Sequence, residues 1–326
     1  MNSTDVPDAW AKAAELIASG GLHRVFVIGS PDAGKSTFCR FLCRYLAAEG
    51  NSVALIDADI GQKDIGPPAC ITSGYASTES ETIAARGFYF VGGVSPYGRF
   101  MGMIAGVCLL TGSVDAVFRI VNTTGLVHGP GRALKGSKIE VLKPDVIAAI
   151  QGSTELELLL AAHRNCRILR IPVSAKAEPR NRDVRRRARE SAFFEYFQPA
   201  VEVELGVETL IFQRSRLFNG KQVRRPGFIY CEESAEGLLA VTGGVVPERP
   251  GMVVLKPGFE ENLLCGVADA NGMGLGLARI IGIDYKKKSI RLISPVQREK
   301  IRILQLGDIY IDADGGALGV RKPYRF

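Results

Sequence analysis

The stretch Val25-Phe26-Val27-Ile28-Gly29-Ser30-Pro31-Asp32-Ala33-Gly34-Lys35-Ser36-Thr37 decides how this chain folds. Its first four residues form an unbroken apolar run, the signature of a strand buried on both faces. The residues after them fit G-x-x-x-x-G-K-[ST] at every fixed position, and a helical pattern follows from Lys35 to about Glu49. Glycines at 29 and 34 let the backbone wrap closely enough for successive N–H groups to converge on phosphate oxygens. The helix beginning near Lys35 adds the positive end of its dipole. This is a P-loop. The expected nucleotide-binding residues are Gly29, Ser30, Pro31, Asp32, Ala33, Gly34, Lys35, Ser36 and Thr37, with Lys35 reaching the β- and γ-phosphates and Ser36 ligating Mg²⁺.

Outward from the P-loop, short β-rich runs alternate with helical stretches. Strands are expected at Val53–Ile56, Phe88–Val91, Val117–Val121, Val146–Ile150 and Arg167–Ile171, with helices at Phe100–Leu110 and Glu155–Arg164. That alternation predicts an α/β fold, a P-loop NTPase with a doubly wound parallel sheet. A short amphipathic helix should precede it, because Trp10, Ala13, Ala14 and Ile17 share a face between Pro7 and Gly20-Gly21. After about Pro226, glycines and prolines punctuate short β-like runs, with turns at Asp269–Gly272 and Tyr285–Lys288. Residues 1–225 are therefore expected to form the P-loop domain and residues 226–326 a small antiparallel β domain.

The bulk numbers are compatible with this. The chain has 326 residues, 46% of them hydrophobic, and a formal net charge of +7 that favours anionic partners. The N-terminal residues lack a secretory layout and no apolar run is long enough to span a bilayer, so no membrane role and a cytoplasmic location are expected. The seven cysteines are irregularly spaced, and Cys39 and Cys43 read as buried thiols.

The second strand ends in Asp57-Ala58-Asp59-Ile60-Gly61-Gln62. Carboxylates at the C-terminal end of a parallel strand face the ligand crevice. One can hold Mg²⁺ through water and the other can accept a proton from an incoming hydroxyl. No N-K-x-D pattern for reading guanine occurs, and Ser174-Ala175-Lys176 only resembles the loop that flanks guanine in GTPases, so ATP is the expected nucleotide.

Several further stretches occur in a consistent order. Ile65-Gly66-Pro67-Pro68 follows the carboxylates; Phe90-Val91-Gly92-Gly93-Val94-Ser95-Pro96-Tyr97-Gly98 and Val121-Asn122-Thr123-Thr124-Gly125-Leu126-Val127-His128-Gly129 come next. Arg182 to Phe197 closes the series with an arginine-rich run and the pair Tyr196-Phe197. Together, over roughly residues 24–200, these resemble the P-loop polynucleotide 5′-hydroxyl kinases, the family of the RNA kinase subunit of cleavage and polyadenylation factors. The resemblance implies transfer of the ATP γ-phosphate to the 5′-hydroxyl of RNA or DNA. It makes Asp59 the group that activates the acceptor hydroxyl and makes Asp57, with Ser36, a metal-site residue. It also implies acceptor contacts from Gln62, Asn122, Thr123, Thr124, Gly125, Leu126, His128 and Arg182. Two positions depart from the family's pattern: Leu126 stands where tryptophan is common, and His128 where lysine is common. The chain is also expected to lack the N-terminal β domain of the eukaryotic members.

On a helix, Arg182, Arg185, Arg186 and Arg189 share one face. Such a helix repels itself unless a polyanion is near, so it is expected to close over ATP and an anionic acceptor, with Arg185 and Arg189 acting in catalysis beside Lys35 and Asp59. Phe193, Phe194 and Phe197 are expected to anchor it to the core. The alternative readings are a P-loop ATPase or GTPase switch acting on a protein or ribonucleoprotein partner, and a nucleotide-dependent nucleic-acid-binding module.

Overall fold

A computed structural model describes residues 6–247 and 249–321. The chain divides into two compact units, residues 1–189 and 190–326. The first contains α1 (Asp8–Ser19), β1 (Arg24–Gly29), α2 (Lys35–Ala48), β2 (Val53–Ala58), β3 (Cys70–Tyr75) and β4 (Gly87–Phe90). It continues with α3 (Phe100–Ser113), β5 (Phe118–Thr123), α4 (Pro130–Leu142), β6 (Val146–Gln151), α5 (Glu157–Ala161) and β7 (Arg167–Pro172). The helix α6 (Arg182–Phe197) runs across the boundary.

In this unit the strands lie in the order β4-β3-β2-β5-β1-β6-β7. The five from β2 to β7 are parallel, while β3 is antiparallel to β2 and β4 to β3. Side chains of β1 alternate between two buried faces: Val25 and Val27 pack with Trp10, Ile17, Phe38 and Leu42 of α1 and α2. Phe26 and Ile28 face the other way, toward Met103, Val107, Leu134 and Ile139 of α3 and α4. Helices on both faces explain why the strand reads as continuously apolar.

Two expectations are corrected here. The Phe88–Val91 strand belongs to an antiparallel edge, not to the parallel set. The expected helix over Glu155–Arg164 is only five residues long. Two elements had no signal: β3 carries Thr72, Ser73 and Gly74 where apolar residues would mark a strand, and α4 opens Pro130-Gly131 and buries two lysines. Thr72 satisfies its buried hydroxyl by donating to the Ile65 carbonyl at 2.7 Å.

The second unit is built of β8 (Val201–Gly206), β9 (Ile211–Gln213), β10 (Lys221–Gln222), β11 (Tyr230–Ser234), β12 (Gly237–Val241) and β13 (Met252–Leu255). Then follow β14 (Leu263–Ala268), β15 (Gly274–Asp284), β16 (Ser289–Ser294), β17 (Ile303–Ile311) and β18 (Ala317–Val320). Its strands run β18-β17-β14-β15-β16-β8 in one sheet and β10-β11-β12-β13 in another. The division falls at 189/190 instead of near 225, because Val201–Gly206 pairs with Ser289–Ser294 and Ile211–Gln213 pairs with Ile303–Gln305. The unit is mostly antiparallel, but β12 with β13 and β9 with β17 are parallel pairs. Of the three phenylalanines, Phe193 is buried whereas Phe194 is 43% exposed, so Phe194 anchors nothing. Among the described residues no helix is long and apolar enough to cross a membrane.

Candidate active site

The site grows from the carboxyl ends of the adjacent strands β1, β5 and β2. Gly29 ends β1 so tightly that a Cβ there would lie 2.7 Å from the Ile150 carbonyl. Gly34 adopts φ +90° at the N-cap of α2, a left-handed turn natural to glycine. The Trp10 ring lies 3.5 Å from where a Cβ at Gly34 would sit and meets Phe38 edge-on, so α1 braces the loop and its helix. Lys35 is buried and its Nζ donates to the Ser30 carbonyl at 2.8 Å, curling over the loop. Burial lowers its pKa, with Asp59 the chief charge opposing that shift. Thr37 is exposed on the first turn of α2.

Pairing of β2 with β5 sets Asp57 level with Asn122. Asn122 Nδ2 then donates to Ser36 Oγ at 3.1 Å and to Asp57 Oδ1 at 3.2 Å, joining the P-loop to the carboxylate strand. Asp57 is fully buried and heavily engaged. Its Oδ2 accepts the Asp64 N–H at 2.7 Å and lies 3.0 Å from Lys63 Nζ, while Oδ1 also takes the Asp59 N–H. The buried Asn122 Oδ1 has no partner among the described residues. Ser36 Oγ and this unpaired amide oxygen, with the Asp57 carboxylate beside them, make an all-oxygen set. It suits a hard, water-carrying cation, held directly by Ser36 and through water by Asp57. Asp59 is placed differently: Oδ1 accepts the N–H groups of Gly61 and Gln62, both at 2.9 Å, and no described residue donates to Oδ2.

The loop after β5 lies directly on the P-loop. A Cβ on Gly125 would fall 2.7 Å from Pro31 Cα, so only glycine allows this approach. Thr123 Oγ1 donates to the Val27 carbonyl at 2.8 Å, a tie between strands. Thr124 is buried, and Lys135 of α4 donates to its carbonyl at 2.7 Å and to the Leu126 carbonyl at 2.9 Å. Leu126 packs against Gly131 of α4, and His128 is exposed. Asn122, Thr123 and Thr124 thus spend their side chains inside the protein, leaving Gly125, Leu126 and His128 as the half-buried or exposed part of the loop.

From α6, Arg185 reaches the P-loop. Its guanidinium lies 2.5 Å from Asp32 Oδ2, and the Arg180 N–H donates to the same oxygen at 2.9 Å. Desolvation acts to raise the Asp32 pKa, but the Arg180 N–H and the Arg185 guanidinium outweigh it and hold the carboxyl below its usual range. Gln62 Nε2 donates to the Arg185 carbonyl at 3.2 Å, which ties the segment after β2 to the same helix. Arg189 is half-buried and Arg182 exposed.

Three lysines escaped sequence reasoning: Lys63, which pairs with Asp57, and Lys135 and Lys138 of α4. The last two are 1% exposed and share the inner face of α4. Lysines in such a helix read as a solvated face, and no local signal marks them as interior.

A phosphate-binding loop, an oxygen set beside it, a capping second loop and an arginine helix define a P-loop nucleotide-binding protein of the phosphotransferase kind. The family described as mRNA cleavage and polyadenylation factor CLP1 P-loop matches residues 29–199. The polyribonucleotide 5′-hydroxyl-kinase of Pyrococcus furiosus is 31% identical, over 97% of this chain and 96% of that one. A protein of the same name from Methanocaldococcus jannaschii is 28% identical over 98% and 95%. The Clp1 kinase of Xenopus laevis is 25% identical over 84% of this chain and 67% of its own. The solved Clp1p–Pcf11p complex contains a chain of the same fold, with a TM-score of 0.67 at 16% identity over 94% of this chain and 80% of that one. The chain belongs to the CLP1 P-loop family.

Proposed function

We propose that this chain is an ATP-dependent polynucleotide 5′-hydroxyl kinase, and that RNA is its acceptor. The observation that carries the reading is Asp59. It stands at the exit of β2, fixed through Oδ1 by two backbone N–H groups, and it is the leading counter-charge to the buried P-loop lysine. A protein that only switches on hydrolysis has no need of a fixed carboxylate on the acceptor side. Relatives named polyribonucleotide 5′-hydroxyl-kinase, nearly the full length of this chain, support RNA as the acceptor.

In the reaction the 5′-hydroxyl oxygen bonds to the γ-phosphorus as the bond to the β,γ-bridging oxygen breaks, and ADP leaves. The hydroxyl proton passes to Asp59 Oδ2. Lys35, the loop N–H groups and the dipole of α2 balance the charge that builds on the phosphates. Arg185 and Arg189 approach the same oxygens from α6, and release of Arg185 from Asp32 frees its fork for phosphate. Mg²⁺, when bound by Ser36 Oγ and through water by Asp57, supplies further charge neutralisation. Gly125 and His128 shape the acceptor side. Little covalent help is needed; alignment is most of the catalysis.

The test uses γ-labelled ATP, Mg²⁺ and 5′-hydroxyl RNA and DNA oligonucleotides with wild type, Lys35→Ala and Asp59→Asn. Label in RNA that both substitutions abolish is the expected result. Release of free phosphate without labelled oligonucleotide would instead make the chain an ATPase switch.

A further inference from the structure

The loop between β5 and α4 is held by a side chain and not by its own backbone. Among the described residues, Gly125, Leu126 and Val127 donate no backbone hydrogen bond. The first local turn forms only where the Gly131 N–H meets the His128 carbonyl at 2.9 Å. Neither a ladder nor a turn therefore fixes the path of the chain past Gly125. Lys135 does so instead. Its Nζ donates to the Thr124 carbonyl at 2.7 Å and to the Leu126 carbonyl at 2.9 Å, and it lies 3.3 Å from Thr124 Oγ1. Carbonyls only accept, so the nitrogen is the donor to both, whether it carries three protons or two.

Helix α4 is shaped for this grip. Gly131 and Lys135 stand one turn apart on the same face. A Cβ on Gly131 would collide with the Leu126 carbonyl oxygen, the same atom that Lys135 binds. Leu134 and Ile139 seat the helix in the core with Met103 and Val107 of α3, so the amino group is mounted on a fixed element. The two gripped carbonyls flank Gly125. In a trans peptide N–H and C=O point opposite ways, so a Thr124 carbonyl turned toward Lys135 turns the Gly125 N–H away from it. Gly125 is half-buried, its N–H has no acceptor among the described residues, and a Cβ on it would fall 2.7 Å from Pro31 Cα. The peptide that Lys135 orients is thus the one at which the loop meets the P-loop.

We infer that Lys135 is a positioning residue of the acceptor side: it grips the loop after β5 from behind, on both sides of Gly125, and so sets the face that the loop turns to the acceptor strand. This role presupposes the kinase reading. Lys135 is 1% exposed, so it acts through the loop backbone and touches neither substrate.

Lys135→Met keeps the unbranched stem and removes the donor. KM for a 5′-hydroxyl oligoribonucleotide should rise by about tenfold or more, with kcat changed less than about threefold and Kd for ATP less than about twofold. Gly131→Ala tests the same grip with Lys135 in place, because the added methyl group pushes the Leu126 carbonyl off the amino group, while alanine suits a helix. It should raise the same KM with the same selectivity. The double variant should go no further than the stronger single change, since both break one contact. Circular dichroism and calorimetric ATP binding establish that each variant is folded; should Lys135→Met not fold, Gly131→Ala carries the comparison. A wild-type KM for the oligonucleotide in either folded variant overturns the inference, and so does a loss of ATP affinity as large as the loss on the acceptor side. Wild type that transfers no label to RNA would instead remove the kinase reading, and this inference with it.

Discussion

Arg185 and Asp32, separated by most of the first unit in sequence, meet at 2.5 Å and tie the arginine helix to the P-loop. The pair is partly exposed, so its value for folding is small, on the order of 1 kcal/mol or less. Its value for turnover is not. Arg185→Ala should lower kcat by about a hundredfold or more, as for an arginine that meets the transferring phosphoryl group. Steady-state kinetics beside a melting curve that barely moves would check this; equal kinetics would remove Arg185 from catalysis.

The same pair has a defined pH range. Asp32 is depressed below 3.8 in the folded state, so the contribution it makes is complete above that value and is lost as pH falls through the lower folded value. Proteolytic protection of α6 should therefore be constant from neutral pH down to about 5 and fail only in strong acid. Loss of protection at pH 6 would contradict the assigned pairing.

Asn122 joins Ser36 to Asp57 from the middle of the sheet. Asn122→Ala leaves a buried carboxylate oxygen short of a donor, and should cost about 1–3 kcal/mol in denaturant unfolding. Turnover should fall further than stability, because the oxygen set loses its alignment. Asn122→Asp places a third carboxylate beside Asp57, and is expected to be worse than alanine in both measurements.

Gly125→Ala places a methyl group within 2.7–2.8 Å of Pro31 backbone atoms, which cannot yield as a flexible side chain can. The loop after β5 must lift from the P-loop. Titrations of each substrate should show KM for the oligonucleotide rising by about tenfold, with ATP binding less affected. Leu126→Ala, which removes only a contact on α4, should have the smaller effect.

Lys138 also writes a signature into stability. Its folded pKa of about 8 lies below the unfolded value, so the unfolded chain binds more protons between those limits. Stability should then gain from this group as pH rises from about 8 toward 10.4, by at most about 1.4 kcal/mol per unit. Lys138→Met should flatten that gain relative to wild type in matched denaturant titrations across the range.

Some of this was legible in residue order alone. The run Val25 to Thr37 contains its own phosphate site, because the strand, the turn at Gly34 and the helix dipole all arise from neighbouring residues. The amphipathic helix through Trp10 and Ile17 was equally local, since one face of a single helix carries its whole signal. The strand at Cys70–Tyr75 and the helix at Pro130–Leu142 were not, because each interior face holds polar groups whose partners lie elsewhere in the chain.

Sequence by itself determined the P-loop, the doubly wound arrangement around it and the two carboxylates at the end of the second strand. Tertiary structure alone decided which atoms meet: Asn122 with Ser36 and Asp57, Gly125 with Pro31, Arg185 with Asp32, and Lys135 with the Thr124 and Leu126 carbonyls. The reason is physical. A loop's geometry follows from bonds and dihedrals a few residues long, whereas a charge becomes a site only when strand register and helix packing remove water and bring distant groups within a few ångströms.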